Sequence, residues 1–81
     1  MTENTVKIIK YLKENKANKV TAADVAADLG IAKKSVDGTF TMAIQGKGYG
    51  HRIPAQIPGD DGVMRDVKYL VLDQSGLDLD I

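Results

Sequence analysis

The spacing of apolar residues changes at Gly50, and this change limits the folds open to the chain. Before Gly50, apolar residues recur every three or four positions, which is typical of amphipathic helices. After Gly50 they alternate with other residues, as on a half-buried strand. The sequence therefore predicts an α+β domain with helices first and strands second. A chain of 81 residues without cysteine has room for one small core and no disulfide to brace it.

Three helices are predicted before this point, over residues 3–16, 22–29 and 32–46. The second has the clearest boundaries, because Thr21 followed by Asp24 is a variant of the capping box and Gly30 suits a left-handed helix end. The third carries Gly38 in its interior, where glycine costs about 1 kcal/mol relative to alanine. A glycine at such a position indicates close packing or a functional requirement, or is simply tolerated.

Two strands are predicted after this point, over residues 49–57 and 63–72. The segment between them, Pro-Gly-Asp-Asp-Gly, has strong turn chemistry, so the strands are expected to form a hairpin. Pro54 has no N–H to donate, which places the first strand at a sheet edge or at a bulge. Residues 73–76 are read as a second turn that opens a tail over 73–81. The whole chain, 1–81, is read as a single domain.

The formal net charge of zero conceals an uneven distribution along the chain. Residues 1–58 hold nine basic and five acidic side chains, a net of +4, whereas residues 59–81 hold two basic and six acidic ones, a net of −4. This balance argues against indiscriminate polyanion binding but allows one basic face. No apolar run is long enough to span a bilayer, and MTENTVKIIK lacks the order of a signal peptide. A cytoplasmic domain is therefore expected.

Catalysis, a cofactor and a metal site are not expected. The chain has one histidine, no cysteine, and no cluster of His, Asp or Glu at the spacing of metal ligands. Gly46, Gly48 and Gly50 follow a predicted helix and precede a strand, the reverse of the order in a phosphate-binding loop. These glycines are read as a helix stop and a hinge.

Two segments carry a resemblance to a known family. Residues 21–49, TAADVAADLGIAKKSVDGTFTMAIQGKGY, and residues 69–76, YLVLDQSG, resemble the winged helix-turn-helix DNA-binding domains of MarR-like bacterial regulators. The resemblance implies three helices with a C-terminal β-hairpin wing. It also implies a small transcriptional regulator of bacterial or phage-like type, which binds double-stranded DNA by placing helix 32–46 in the major groove.

The resemblance also selects candidate DNA-binding residues, most of them at exposed positions of the third helix. They are Lys33, Lys34, Ser35, Asp37 and Thr41, with Arg52 supporting from the base of the wing. The lysines and Ser35 suit phosphate or base contacts at a helix start, and a carboxylate at position 37 can accept a hydrogen bond from cytosine N4. Three features depart from the family. Ala32 stands where a capping Ser or Thr is common, Asp37 and Gly38 stand where Arg, Gln or Asn is common, and the wing tip is acidic at Asp60 and Asp61.

The departures keep a second function open. The same scaffold serves as a protein–protein interaction module, with the acidic hairpin docking on another polypeptide. Self-association is a further possibility, and the chain is expected to be a monomer or a weak homodimer, because it lacks the flanking helices through which related dimers commonly pair.

Overall fold

The computed structural model describes all 81 residues and contains four helices and one β-hairpin. The strands are β1 (Gly50–Pro58) and β2 (Met64–Leu72). The helices are α1 (Glu3–Glu14), α2 (Ala22–Leu29), α3 (Lys33–Thr39), which continues into a π-helical segment at Phe40–Gln45, and α4 (Gln74–Leu77). The predicted α+β class is confirmed. None of the helices combines the length and the apolar character that crossing a membrane requires.

The boundaries of α2 follow from its capping residues. The Thr21 side chain accepts a hydrogen bond from the Asp24 N–H at 3.3 Å, and the Asp24 carboxylate accepts one from the Thr21 N–H at 2.9 Å, which completes the capping box. At the other end Gly30 has φ of 68°, in the left-handed region that glycine enters at least cost. By contrast, Ala32 gives the start of α3 no side-chain cap.

One hydrophobic core joins the first three helices to the base of the hairpin. Each large side chain that is fully buried in it contributes about 1.5–3 kcal/mol to folding. The core is formed by Ile8, Ile9, Leu12, Val20, Ala22, Val25, Val36, Phe40, Ile44 and Leu70. Val36, Phe40 and Ile44 fix the side of helix 33–45 that faces inward, and so decide which of its residues remain outside.

The hairpin is regular and is attached to the helices through one of its two strands. β1 pairs with β2 in continuous antiparallel register, from Gly50 opposite Leu72 to Pro58 opposite Met64, so Pro54 lies on an edge strand without a bulge. On the other side of β2, an isolated bridge joins Thr21 to Tyr69, and the Leu70 N–H donates to the Val20 carbonyl at 2.9 Å. β1 is therefore the free edge of the sheet.

Two segments differ by more than one residue from the sequence-based bounds. α1 ends at Glu14: the backbone of its C-cap residue Asn15, with φ of −111°, leaves the helical conformation, and the Asn15 side-chain amide donates to the Tyr11 carbonyl at 2.8 Å. The segment after β2, read as a turn, contains the one-turn helix α4. Its Ser75 hydroxyl donates to the Gly48 carbonyl at 2.6 Å, a contact across 27 residues that no local pattern indicates.

Candidate nucleic-acid interface

The six residues selected from the sequence fall into two groups. Lys33 and Arg52 both contact Asp37, and the three form a network between helix 33–45 and the start of β1. Lys34, Ser35 and Thr41 are exposed and belong to no such network. The two groups have different physical roles, because the first joins parts of the chain and the second is free to meet a partner.

Asp37 is the centre of the network. Its carboxylate accepts a hydrogen bond from Lys33 Nζ at 3.0 Å, one helical turn earlier, and lies 3.6 Å from Arg52 Nη2. The side chain of Arg52 is 18% exposed, against 40% for Asp37. Two basic groups thus offset the one carboxylate that helix 33–45 carries, and this carboxylate adds no net negative charge to its neighbourhood.

Arg52 reaches helix 33–45 at three further points. Its Nη1 donates to Gln45 Oε1 at 2.7 Å, its Nη2 donates to the Asp37 main-chain carbonyl at 3.3 Å, and its guanidinium carbon lies 4.8 Å from the centre of the Phe40 ring. A guanidinium over an aromatic face at this distance is a cation–π contact. Arg52 therefore fixes the position of the hairpin relative to the helix.

The network lines an open groove of about 660 Å³ between the starts of α2 and α3 and the hairpin. Lys68 and Asp66 of β2 line the same groove. Three cations and two anions therefore line it, a net charge of +1. Lys68 has no ion pair within the chain and is exposed beside Lys33 at the edge of the groove.

A row of exposed positions follows the outer side of helix 33–45. This row, here called the α3 ridge, consists of Lys34, Ser35, Gly38 and Thr41. The side-chain hydrogen bonds and ion pairs of the helix involve only its Lys33, Asp37 and Gln45, so the ridge has none. At Gly38 an added Cβ would meet no atom within 4 Å. The ridge is thus unobstructed by the rest of the chain.

Two residues of this surface were not selected from the sequence. Gln45 accepts a hydrogen bond from Arg52. Residues four apart share a helix face, so the spacing of Asp37, Thr41 and Gln45 could have predicted that Gln45 lies on the same side of the helix as Asp37. Met42 is 77% exposed next to Thr41. Met42 lies off the apolar spacing of Val36, Phe40 and Ile44, so the helical period could have predicted its exposure.

The hairpin tip has the opposite electrostatic character. Asp61 pairs with Arg65 at 3.2 Å, whereas the neighbouring Asp60 has no ion pair. Val63 and Met64 are 57% and 53% exposed beside these carboxylates. The tip is therefore acidic and partly apolar, unlike the α3 ridge, whose one charged side chain is a lysine.

Nowhere in the chain do three or more His, Asp or Glu side chains come together as a metal-binding group. Comparison of the chain with protein-family models, with curated proteins and with solved structures returned no match. The fold and the site define a small α+β domain in which the exposed α3 ridge lies next to a β-hairpin held against the helix by Arg52. The geometry and charge of that ridge are the basis of the functional proposal.

Proposed function

We propose that this protein binds double-stranded DNA as a winged helix-turn-helix domain, with helix 33–45 in the major groove. The observation that carries the proposal is the α3 ridge: Lys34, Ser35 and Thr41 are exposed, make no side-chain hydrogen bond or ion pair within the chain, and lie along one helix. A helix that reads base edges in the major groove needs such a row of free donors and acceptors on its first turns. The cellular role that fits is a small cytoplasmic regulator of transcription.

The arrangement of the elements supports this proposal. α2 and α3 are joined by a short corner at the left-handed Gly30, as in helix-turn-helix pairs. The hairpin follows helix 33–45 directly, and the bridge between Thr21 and Tyr69 ties it to the start of α2. A wing held in this way stays in a fixed position beside the helix that enters the groove.

The electrostatics of the ridge also support the proposal. Asp37 would repel phosphate if it were unpaired, but Lys33 and Arg52 offset its charge. Lys34 is left as the unpaired cation at the start of the helix, where backbone N–H groups also favour anions. In this proposal Lys34 contacts phosphate, Ser35 and Thr41 face bases, and Arg52 positions the wing. Direct contacts from Asp37 and Arg52 to DNA remain predictions.

The test is a fluorescence titration of mixed-sequence duplex DNA, from about 20 mM salt upward. We expect binding that weakens as salt rises, because phosphate contacts release counterions. Lys34→Ala should weaken binding severalfold and reduce the salt slope by about 1. Lys33→Ala with Lys34→Ala should weaken it further. Lys10→Ala is the matched control, since Lys10 is an exposed lysine without an ion pair on α1, away from the ridge.

Two results would contradict the proposal. The first is the absence of binding at about 20 mM salt, where electrostatic contacts are strongest. The second is an equal loss of affinity in Lys10→Ala and Lys34→Ala, which would mean that any exposed lysine serves and the ridge has no special role.

The hairpin tip favours a second candidate function, that of a protein-interaction module. Val63 and Met64 are exposed next to Asp60 and Asp61, a combination suited to a partner with a basic and apolar surface. A pull-down with the full chain that survives nuclease treatment and is lost in Val63→Asp would support this function. If nuclease abolishes the capture, the partner was reached through nucleic acid and the first function is favoured.

A further inference from the structure

Met42 is an exposed apolar side chain on the helix that is proposed to enter the major groove. Its exposed fraction is 77%, the highest among the exposed large hydrophobic residues of the chain. Phe40 and Ile44, two positions before and after it, are fully buried. Residues two apart lie about half a turn apart around a helix. Met42 therefore lies on the side of helix 33–45 that faces away from the core.

Met42 continues the α3 ridge by one further position. Lys34, Gly38 and Met42 follow one another at intervals of four residues, and residues four apart share a helix face. From residue 34 to residue 42 the helix rises about 12 Å, which is about the width of the major groove. One groove can thus contact the whole row, from the unpaired cation Lys34 at its start to the thioether of Met42 at its end.

Gly38 leaves a depression in the middle of this row. A Cβ added at Gly38 would meet no atom of the chain within 4 Å, so packing within the chain does not require a glycine there. Its φ is not positive, so the backbone conformation does not require one either. Glycine suits the close approach of a backbone to a ligand. Here it allows the helix to lie close to base edges, within reach of the side chains of Thr41 and Met42.

The chemistry of the row limits which feature of a base pair it distinguishes. Bidentate contacts to guanine or adenine come from Arg, Lys, Asn or Gln. Of these the row holds only Lys34, which is assigned to phosphate above, and the amide oxygen of the next candidate, Gln45, already accepts from Arg52. The hydroxyls of Ser35 and Thr41 both donate and accept, so they suit several bases. Apolar contact is the remaining means of discrimination, and in the major groove it selects a pyrimidine C5-methyl group.

We propose that Met42 supplies the sequence preference of the protein by packing on the C5-methyl group of a pyrimidine in the major groove. Thymine carries this methyl group, and so does 5-methylcytosine. Methionine suits the contact because its unbranched, polarisable side chain adapts to irregular apolar surfaces. Met42 has this role only if helix 33–45 binds DNA, so this inference rests on the proposed function. Burial of one methyl group corresponds to about a fourfold gain in affinity.

Replacement of thymine by uracil tests the contact, because uracil lacks only the C5-methyl group. The preferred duplex is first selected with the full chain from a pool of random sequences. It is then titrated in its thymine and uracil forms at about 50 mM salt. We expect the uracil form to bind about fourfold more weakly or worse. Met42→Ala should bind the two forms equally, and Met42→Leu, which keeps a large apolar side chain, should retain the preference for thymine.

Met64→Ala is the matched control. Met64 is 53% exposed on the hairpin, outside the row, so its loss should leave the preference for thymine unchanged. The salt dependence gives a second readout that separates Met42 from the phosphate-binding lysine. Met42→Ala should keep the salt slope of the unmodified protein, whereas Lys34→Ala should reduce it by about 1. Circular dichroism checks that each variant is folded.

The two sources of the methyl group are separated with a mixed-sequence duplex that contains 5-methylcytosine in place of cytosine. Tighter binding after this methylation would show that Met42 also reads the methyl group of cytosine, provided that the gain is lost in Met42→Ala. Unchanged binding, together with the loss on uracil substitution, would assign the preference to thymine alone.

Three results would overturn this role of Met42 while leaving DNA binding in place. They are equal affinity for the thymine and uracil forms, a preference for thymine that persists in Met42→Ala, and the absence of any selected sequence although duplex DNA is bound. The absence of binding to every duplex at about 20 mM salt would overturn the proposed function as well, so the two failures are distinguishable.

Discussion

Arg52 of β1 and Asp37 of α3 contact each other twice. Nη2 of Arg52 lies 3.6 Å from a carboxylate oxygen of Asp37 and donates a hydrogen bond to its main-chain carbonyl at 3.3 Å. The same guanidinium stacks on Phe40, whose ring is fully buried, so the contact is continuous with the core. Arg52 therefore links the hairpin to helix 33–45 directly, in addition to the packing of Leu70 in the core.

Arg52→Lys is expected to destabilise the protein by about 1–2 kcal/mol, although it keeps the positive charge. An ammonium group cannot donate along the two directions that Gln45 and Asp37 require, and it stacks less well on Phe40. The free energy of unfolding in urea measures the effect. Lys68→Ala is the control, because Lys68 is exposed and unpaired on the same face, and a change within about 0.5 kcal/mol is expected there. Equal losses of unfolding free energy in the two variants would show that the contacts of Arg52 do not stabilise the packing of the hairpin on helix 33–45.

Ala32→Ser is expected to stabilise the protein by about 1 kcal/mol. Ala32 already has the extended backbone of an N-cap residue, with φ of −65° and ψ of 139°, but its side chain offers no acceptor to the first N–H groups of α3. A serine hydroxyl supplies that acceptor without a change of backbone. Thermal and urea unfolding measure the gain.

The same substitution at a helical position gives the control for the cap. Ala27→Ser lies at an exposed site within α2, where serine lowers helix propensity and a loss of about 0.5 kcal/mol is expected. A gain at both positions would point to a general effect of serine, and no gain at position 32 would mean that the start of α3 is already satisfied.

The sequence predicted the elements whose signals are local. The capping box at Thr21, the left-handed Gly30 and the turn between the strands each act over a few residues, so each could be recognised without the fold. The surroundings of Asp37 could be recognised only in part: its pair with Lys33, four residues earlier, is local, but Arg52 is 15 residues away and reaches Asp37 only once the hairpin has folded against the helix. For the same reason, a carboxylate that looked free to meet a base proves to be paired.

The hairpin gives a second example of this limit. Both alternate sets of positions on the two strands contain apolar residues, so the alternation alone does not say which set faces the core. Leu70 and Leu72 decide the matter by packing on the helices, and this leaves Ile53 and Ile57 outside. The exposed set is the more apolar one on β1, which the sequence pattern would assign to the interior.

Gly50→Ala is expected to destabilise the protein by about 1–3 kcal/mol, the range seen when a methyl group is forced into a packed core. A Cβ at Gly50 would lie 2.5 Å from the Val71 carbonyl oxygen and 3.1 Å from Cγ2 of Ile44, and the first of these belongs to the backbone of β2. Because neither strand can move without breaking the pairing, the clash has no inexpensive relief. Urea unfolding measures the loss.

Gly38→Ala makes the matched change where there is space. Gly38 is exposed in a helix and an added Cβ meets nothing, so alanine should stabilise the protein by about 0.5–1 kcal/mol through helix propensity and a less flexible unfolded chain. Effects of the same sign at positions 38 and 50 would contradict the contrast between the free ridge and the packed strand.

Tyr11 is expected to ionise well after an ordinary tyrosine. Its hydroxyl donates to the Asp28 carboxylate at 2.5 Å, and this hydrogen bond, with burial and the nearby negative charge, raises the pKa of Tyr11 to about 12. Since the pKa in the unfolded chain is about 10, the contact stabilises the fold fully below that pH and is lost as the pH rises to about 12. The unfolding free energies of the protein and of Tyr11→Phe should therefore converge over this interval.

The ultraviolet absorbance of tyrosinate follows the ionisation of Tyr11 directly. Asp28→Asn should move the Tyr11 step back towards pH 10, because it removes the charge but keeps an acceptor. A difference between the protein and Tyr11→Phe that stays constant from pH 10 to 12 would show that the link between α1 and α2 does not depend on the tyrosine proton.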